Sequence, residues 1–230
     1  MDQNTKLQFY NFEQLSENTV LIEFSPNINK NQSFLLNELS KKLIKIFPTQ
    51  LIEVIPSHHS LYIEYKPLLI QTQLIKETSI KLFSNIKPDK NKIRKHRIPV
   101  CYDTKLTTDI EEIGKVLKIP ICEIIKLHLS QNYFVSALGF MPGFAYLYGL
   151  NSELNIPRKD TPARQVPPGS VAIANDFTAI YPNFSPGGWN IIGMTPFKIK
   201  SILDDKNNFF HVGDEINFYQ IPYKEYKYLL

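Results

Sequence analysis

Seven of the nine glycines in this 230-residue chain fall between Gly139 and Gly193, and that crowding limits what the second half can fold into. Glycine permits positive φ and lets backbone pass close to another group, whereas proline fixes φ and removes a donor. The segment reads GFMPGFAYLYGL, then PRKDTPARQVPPGSVAIA, then IYPNFSPGGWNIIGMTP, and it holds the only tryptophan, Trp189. Short strands joined by tight turns tolerate such punctuation. Two Gly-Pro loops that each end in aromatics have the character of binding loops, although barrel corners packed by their own aromatics give the same pattern.

Runs of β character follow Tyr133, at Tyr133–Gly139, Ser170–Ala174, Asn190–Gly193, Phe197–Ile202 and Glu215–Ile221, with turn residues between them. They predict a mainly-β barrel. Ahead of them, Thr108-Asp109-Ile110-Glu111 has the spacing of a capping box and starts a helix through Leu117. Pro120 suits the first position of a second helix that runs to about Leu129.

The first third alternates strands and helices. Thr19–Phe24 reads as a strand, and Gln32–Phe47 as a helix from the spacing of Leu35, Leu36, Leu39, Leu43 and Ile46, with Ser33 or Asn31 as N-cap and Pro48 as stop. Strands at Leu51–Ile55 and Ser60–Tyr65 flank a turn with His58 and His59, and a second helix fits Leu68–Phe83. This order predicts a small α+β sandwich of ferredoxin-like type. The basic stretch KPDKNKIRKHR (Lys87–Arg97) reads as a solvated linker. The expected organisation is therefore an α+β domain over 1–88, a linker over 89–98 and a β-barrel over 99–230.

A net charge of +4, spread as lysine among asparagine and isoleucine, does not single out a nucleic-acid partner. The uncharged stretch from Leu129 to Ser152 is long enough to span a bilayer, but Gly139, Pro142 and Gly143 interrupt it. A buried strand followed by a loop is expected there, and no membrane segment. Cys101 and Cys122 lie far apart in no metal-ligand spacing, so no metal site is expected. Two cysteines behind an N-terminus without a basic or apolar leader fit a reducing, cytoplasmic setting.

Candidate chemistry is concentrated in a few residues. His128, near the end of its helix, suits a general acid–base or a donor to a substrate carboxylate, and equally a helix-terminal residue satisfied by local carbonyls. Arg158, Lys159 and Arg164 stand among four prolines that stiffen the segment, and an arginine fork binds a carboxylate in bidentate fashion. Ser170 and Ser185 sit beside glycine but fit no G-x-S-x-G elbow, so each suits an oxyanion contact or a turn cap. His58, His59, His96 and His211 read as surface residues. Neither a P-loop nor a G-x-G-x-x-G occurs, so ATP has neither standard binding motif here.

Taken in order, PVCYD (Pro99–Asp103), Asp109-Ile110, His128, Tyr133, GFMPGFAYL, PRK, TPARQVPPGSVAIA, IYP, SPGGW, IIGMTP and GDEINF (Gly213–Phe218) resemble one bacterial family. It is the family of the B subunit of the three-component 5-oxoprolinase, which also holds the sporulation kinase inhibitor and the first half of the allophanate hydrolase-like domain pair associated with urea carboxylase. The likeness covers essentially the whole chain. Two departures stand out: the family often carries a cation where this chain has Met194, and an arginine where it has Ala163.

The resemblance implies an α+β N-terminal domain, a cyclophilin-like barrel, and two partners, the homologous barrel protein that is the C subunit of 5-oxoprolinase and its A subunit. Together they would open the lactam of 5-oxoproline to glutamate with ATP as co-substrate. His128, Arg158 and Arg164 are the residues best suited to hold the substrate carboxylate and developing phosphate charge. Phe140, Pro142, Gly143 and Tyr146 of the first loop are expected to bind substrate, with Ser170, Tyr181, Ser185, Gly187, Gly188 and Trp189 around the second. Inhibition of a sensor histidine kinase, or a carboxyltransferase-like half domain acting on a urea-type substrate, are the alternatives. Phe140, Phe144, Tyr146, Tyr148 and Trp189 would form an apolar interface patch if exposed, or barrel core if turned inward.

Overall fold

The computed structural model describes residues 9–86, 93–107, 109–199 and 210–230. Two units divide the chain, Met1–Lys92 and Ile93–Leu230.

In the first unit, alternation puts one face of each strand into a core. In β2 (Thr19–Phe24), Val20, Ile22 and Phe24 are buried, and Leu21 and Glu23 face the other way. Helix α1 (Lys30–Ile46) buries Leu35, Leu36, Leu39 and Leu43 along one stripe. Its cap is Asn29, whose Oδ1 accepts the Gln32 N–H at 2.9 Å, so Asn31 and Ser33 lie inside the helix and do not cap it. Strands β3 (Leu51–Pro56) and β4 (Ser60–Tyr65) pair as a hairpin, and α2 (Thr72–Asn85) follows. Leu68 is 98% exposed, in the turn ahead of α2, and the helix starts four residues later than its pattern suggests. An unanticipated strand, β1 (Phe9–Gln14), completes an antiparallel sheet of order β1-β2-β4-β3. With β4 between β2 and β3 this is a split βαβ unit. Here β1 holds the edge that a ferredoxin-like fold gives to a strand after the second helix.

The second unit is built on a seven-stranded sheet. Its strands are β5 (Lys95–Val100), β6 (Tyr133–Leu138), β7 (Ala145–Tyr148), β9 (Ser170–Ala174), β10 (Phe177–Ile180), β12 (Asn190–Met194) and β13 (Glu215–Gln220), in the order β12-β9-β10-β7-β6-β13-β5. A separate pair joins β8 (Ala163–Val166) to β11 (Ser185–Gly187). The two edges of the large sheet meet just past β5. Cys101 and Met194 exchange both backbone hydrogen bonds, at 2.8 and 2.9 Å, and nearly close a barrel. Gly193 makes this approach possible, because a Cβ there would lie 2.6 Å from Val100 Cγ1. Helices α3 (Ile110–Leu117) and α4 (Ile121–Leu129) add Ile110, Ile113 and Ile124 to a core with Val135, Leu147, Ile173 and Ile192. A short helix, α5 (Tyr223–Leu229), follows β13.

Several expectations need correction. Residues 95–98 belong to no solvated linker: they form β5, parallel to β13 from Lys95↔Glu215 to Val100↔Gln220. Ile98 and Val100 are fully buried, and the Arg94 guanidinium (2.6 Å) and His96 Nε2 (3.1 Å) meet Asp214, while Lys95 and Arg97 stay exposed. The rest of the expected linker, 89–92, lies outside the described residues. Leu129–Ser152 holds two strands in place of one. Residues 197–199 form no strand, and 200–202 lie outside the described residues. Thr108 of the capping box also lies outside them. Pro120 has extended ψ and is the N-cap itself, one place ahead of the expected position. No helix among the described residues is long and apolar enough to cross a membrane.

Candidate functional site

The β6–β7 hairpin ends in the GFMPGF loop. Phe144 N–H donates to Met141 O at 3.1 Å across Pro142 and Gly143, and Gly143 has φ +87°, the arrangement of a type II turn. A Cβ on Gly143 would touch Pro182 and Ile199 at 3.2 Å. Pro142 and Gly143 therefore shape the loop, and neither lines the pocket beside it. Phe140 takes φ +71°, unusual for a residue with a side chain, and is 60% exposed.

The hairpin faces the SPGGW segment across a pocket of about 230 Å³. Phe140, Phe144 and Tyr146 form one wall, Tyr181 and Trp189 another. The rings meet edge to face: Phe144 lies 5.5 Å from Tyr181 and 5.8 Å from Trp189, and Tyr146 lies 5.9 Å from Trp189. Gly187 and Gly188 bring bare backbone to the pocket, while Pro162, Pro186 and Arg158 complete it. Gly187 is obligatory by packing, because the Tyr181 phenol lies against it and a Cβ would sit 2.8 Å from Tyr181 Cζ.

The pocket is apolar with one fixed charge. Arg158 brings the cation to the pocket, and among the described residues no carboxylate pairs with it. Burial pushes the Tyr146 phenol up, and Arg158 partly opposes this. Burial also raises Tyr181, against a hydrogen bond from the Trp189 backbone. Both phenols are thus protonated at neutral pH and can donate. Lys159, next to Arg158, is turned away: its Nζ lies 2.6 Å from Asp109 Oδ1.

The structure brings Phe140, Tyr146, Arg158, Tyr181, Gly187, Gly188 and Trp189 together and leaves six other expected residues outside the pocket lining. Arg164 is exposed on β8. Ser170 is fully buried and donates to Pro167 O at 2.8 Å. Ser185 is buried, and its Oγ has no hydrogen-bond partner among the described residues. Pro142 and Gly143 make the turn already described.

His128, the sixth, is fully buried. Tyr102 Oη lies 2.7 Å from its Nδ1 and Thr178 Oγ1 lies 3.1 Å from its Nε2, and burial lowers its pKa to about 3. An acid–base group for neutral pH needs access and a higher pKa, and His128 has neither.

Three lining residues are not among the expected site residues. Phe144, expected in an exposed patch or the core, is 2% exposed and forms the centre of the aromatic cluster. Pro162 and Pro186 stiffen their segments, and their rings also serve as wall. The aromatic patch is mostly pocket lining and core. Met194, at one departure from the family pattern, packs with Cys101, Ile221 and Tyr226 away from the pocket. Among the described residues no cluster of three His, Cys, Asp or Glu could hold a metal ion.

Residues 10–210 match the family described as carboxyltransferase domain, subdomain C and D, and the chain belongs to that family. It is 31% identical over 229 residues to the B subunit of 5-oxoprolinase from Bacillus subtilis strain 168, covering 94% of this chain and 95% of that one. The crystal structure of TTHA0988 superposes with a TM-score of 0.73 at 28% identity; it covers 88% of this chain, which spans 40% of that protein's length. Kluyveromyces lactis urea carboxylase superposes over 94% of this chain and 22% of its own, with a TM-score of 0.74 at 18% identity, a likeness of fold alone.

Proposed function

We propose that this chain is the B subunit of an ATP-dependent 5-oxoprolinase, and that its aromatic pocket receives the small lactam substrate. The carrying observation is the arginine-and-glycine pocket in a chain that aligns over almost its whole length with the B subunit of a 5-oxoprolinase. In this reading Arg158 binds the substrate carboxylate and the aromatic walls flank its ring. The Gly187–Gly188 amides and the Tyr181 phenol are donors for the lactam oxygen as charge gathers on it.

A lactam is a poor electrophile. Transfer of the γ-phosphoryl group of ATP to its oxygen gives a phosphorylated imidate and ADP. Water adds to the imidate carbon, the ring C–N bond breaks with proton transfer to nitrogen, and the resulting acyl phosphate is hydrolysed by a second water to glutamate and phosphate. A pocket of about 230 Å³ receives a compact ring acid. The sequence carries neither standard ATP-binding motif, so in this reading a partner, the A or the C subunit, brings ATP and the working site forms at the junction with it.

The test is reconstitution with the A-subunit and C-subunit homologues of the same genome, assaying ATP-dependent conversion of 5-oxoproline to glutamate. Activity should vanish without this chain and fall at least roughly tenfold with Arg158→Ala, the scale of one charge-assisted hydrogen bond. An assembled complex inert towards 5-oxoproline would overturn the substrate. Full activity with R158A would remove the arginine from its role.

A further inference from the structure

The motif residues Asp109, Pro157 and Lys159 stand around the pocket without lining it, and their bonds converge on one segment, residues 188–191. Asp109 is the N-cap of α3, yet its carboxylate does not cap that helix. One oxygen accepts the Ile191 N–H at 2.7 Å, and the other takes the Lys159 ammonium at 2.6 Å. Lys159 in turn donates its own backbone N–H to Gly188 O at 2.7 Å. On the other side of Arg158, Pro157 O accepts from Asn190 Nδ2 at 2.9 Å. Arg158 is thus flanked in sequence by two residues bonded to the 188–191 segment, and Asp109 ties the second of them to the same segment.

We propose that the Asp109–Lys159 pair is a positioning device that fixes Arg158 relative to the Gly187–Gly188 backbone and Trp189. Asp109 is nearly buried, and Lys159 is about a third exposed at its side chain. A pair so placed is better shielded from water than a surface ion pair and holds its geometry accordingly. The Lys159 N–H to Gly188 O and Asn190 Nδ2 to Pro157 O bonds alone lay the two segments side by side. The ion pair adds a third point, from α3, that stops the 157–160 segment from swinging on them. Both residues act through Arg158 and neither touches the ligand.

The inference rests on the proposed function only for its choice of probe. Trp189, the sole tryptophan, lines the pocket, so its emission reports 5-oxoproline binding to the full chain. Lys159→Met should raise the dissociation constant roughly tenfold, a coupling typical of residues in one network. It should also speed amide exchange over residues 157–160 and 187–191 without ligand. Lys159→Arg, which keeps the charge and reach, should restore both to within about twofold. Should K159M not fold, Asp109→Asn, which keeps an oxygen for the Ile191 N–H, takes its place.

Wild-type affinity and exchange in K159M would overturn the proposal. So would a K159R variant that binds as weakly as K159M with wild-type exchange, because the ammonium would then be a direct ligand. If the wild-type chain alone does not bind 5-oxoproline, the reconstitution assay decides between a site completed by its partner and a wrong substrate, and the exchange comparison alone decides the positioning role.

Discussion

Tyr102 and His128 share a hydrogen bond of 2.7 Å inside the barrel, and its direction follows from the neighbours. Thr178 spends its hydroxyl proton on Ala172 O at 3.0 Å, so towards His128 Nε2 it can only accept. Nε2 therefore carries the imidazole proton, and Nδ1 accepts from the Tyr102 phenol. Tyr133 donates to the His128 carbonyl at 2.8 Å, and the Phe218 ring stacks on the imidazole at 4.8 Å. This is a satisfied polar network in a core, where the neutral ring is the only form that fits.

Acid should weaken the barrel well before carboxylates titrate. Unfolded, His128 has its ordinary pKa of 6.5; folded, about 3. Above 6.5 neither state is charged, and stability is flat. As pH falls below 6.5 the unfolded chain binds a proton that the folded one refuses, so stability drops by up to about 1.4 kcal/mol per unit down to the folded value. Asp214 adds a later step. Burial raises its carboxyl, but hydrogen bonds from His96, Arg94 and the His211 backbone outweigh this and hold it at about 2, below its usual 3.8. Its contribution is present above 3.8 and is lost as pH falls towards 2. Urea midpoints followed by Trp189 emission should decline from about pH 6.5 to about pH 4.5, and His128→Gln should flatten that slope. An unchanged slope in the variant would assign it elsewhere.

The barrel seam makes a second prediction. Gly193→Ala would set a methyl 2.6 Å from Val100 Cγ1 and 3.2 Å from the Cys101 carbonyl, where the Cys101–Met194 bonds close the sheet. Overpacking of this kind costs about 1–3 kcal/mol. Gly139→Ala, with nothing within 4 Å of the added methyl, should stay within about 0.5 kcal/mol of wild type. Urea titration of the pair checks both, and equal stabilities would mean that the seam yields.

The two glycine-rich loops are legible as pocket walls because their chemistry is local: Gly, Pro and aromatic residues announce turns and walls wherever they fold. Strands with long alternation, such as Thr19–Phe24, are legible for the same reason. What the chain conceals is non-local. Lys95–Val100 reads as solvated because of Lys95 and Arg97, which do stay exposed, and only the parallel pairing with Glu215–Gln220, far along the chain, makes it a barrel strand. His128 shows the same limit. Its position near a helix terminus suits a catalytic group, whereas Tyr102 and Thr178, distant in sequence, bury and satisfy it. Arg158 and Lys159 are adjacent and alike in charge, yet Asp109 turns one of them away from the pocket.

Gly187 offers a direct test of the pocket. A methyl on it would meet the Tyr181 ring, with Cζ 2.8 Å away. The phenol must shift, and Tyr181 also walls the pocket and packs 5.5 Å from Phe144. Gly187→Ala should therefore weaken ligand binding at least roughly tenfold and change Trp189 emission, because displaced wall residues no longer match a small ligand. Titration with 5-oxoproline followed by tryptophan emission measures both. Wild-type binding would show that the ligand sits away from Tyr181.

Phe140 should separate stability from function. Its φ of +71° costs about 1–2 kcal/mol for a residue with a Cβ, and glycine is free of that penalty. Against this, Phe140→Gly loses one edge-to-face contact with Phe144 at 5.2 Å, worth about 0.5–1.5 kcal/mol, and gains unfolded-chain entropy. The two sides nearly cancel, so F140G should unfold within about 1 kcal/mol of wild type. The pocket, however, loses its most exposed wall, and affinity for 5-oxoproline should fall several-fold. Strain kept at an exposed aromatic beside a pocket is the pattern of a residue retained for binding. A variant that loses stability and affinity in proportion would instead make Phe140 an ordinary packing residue of the loop.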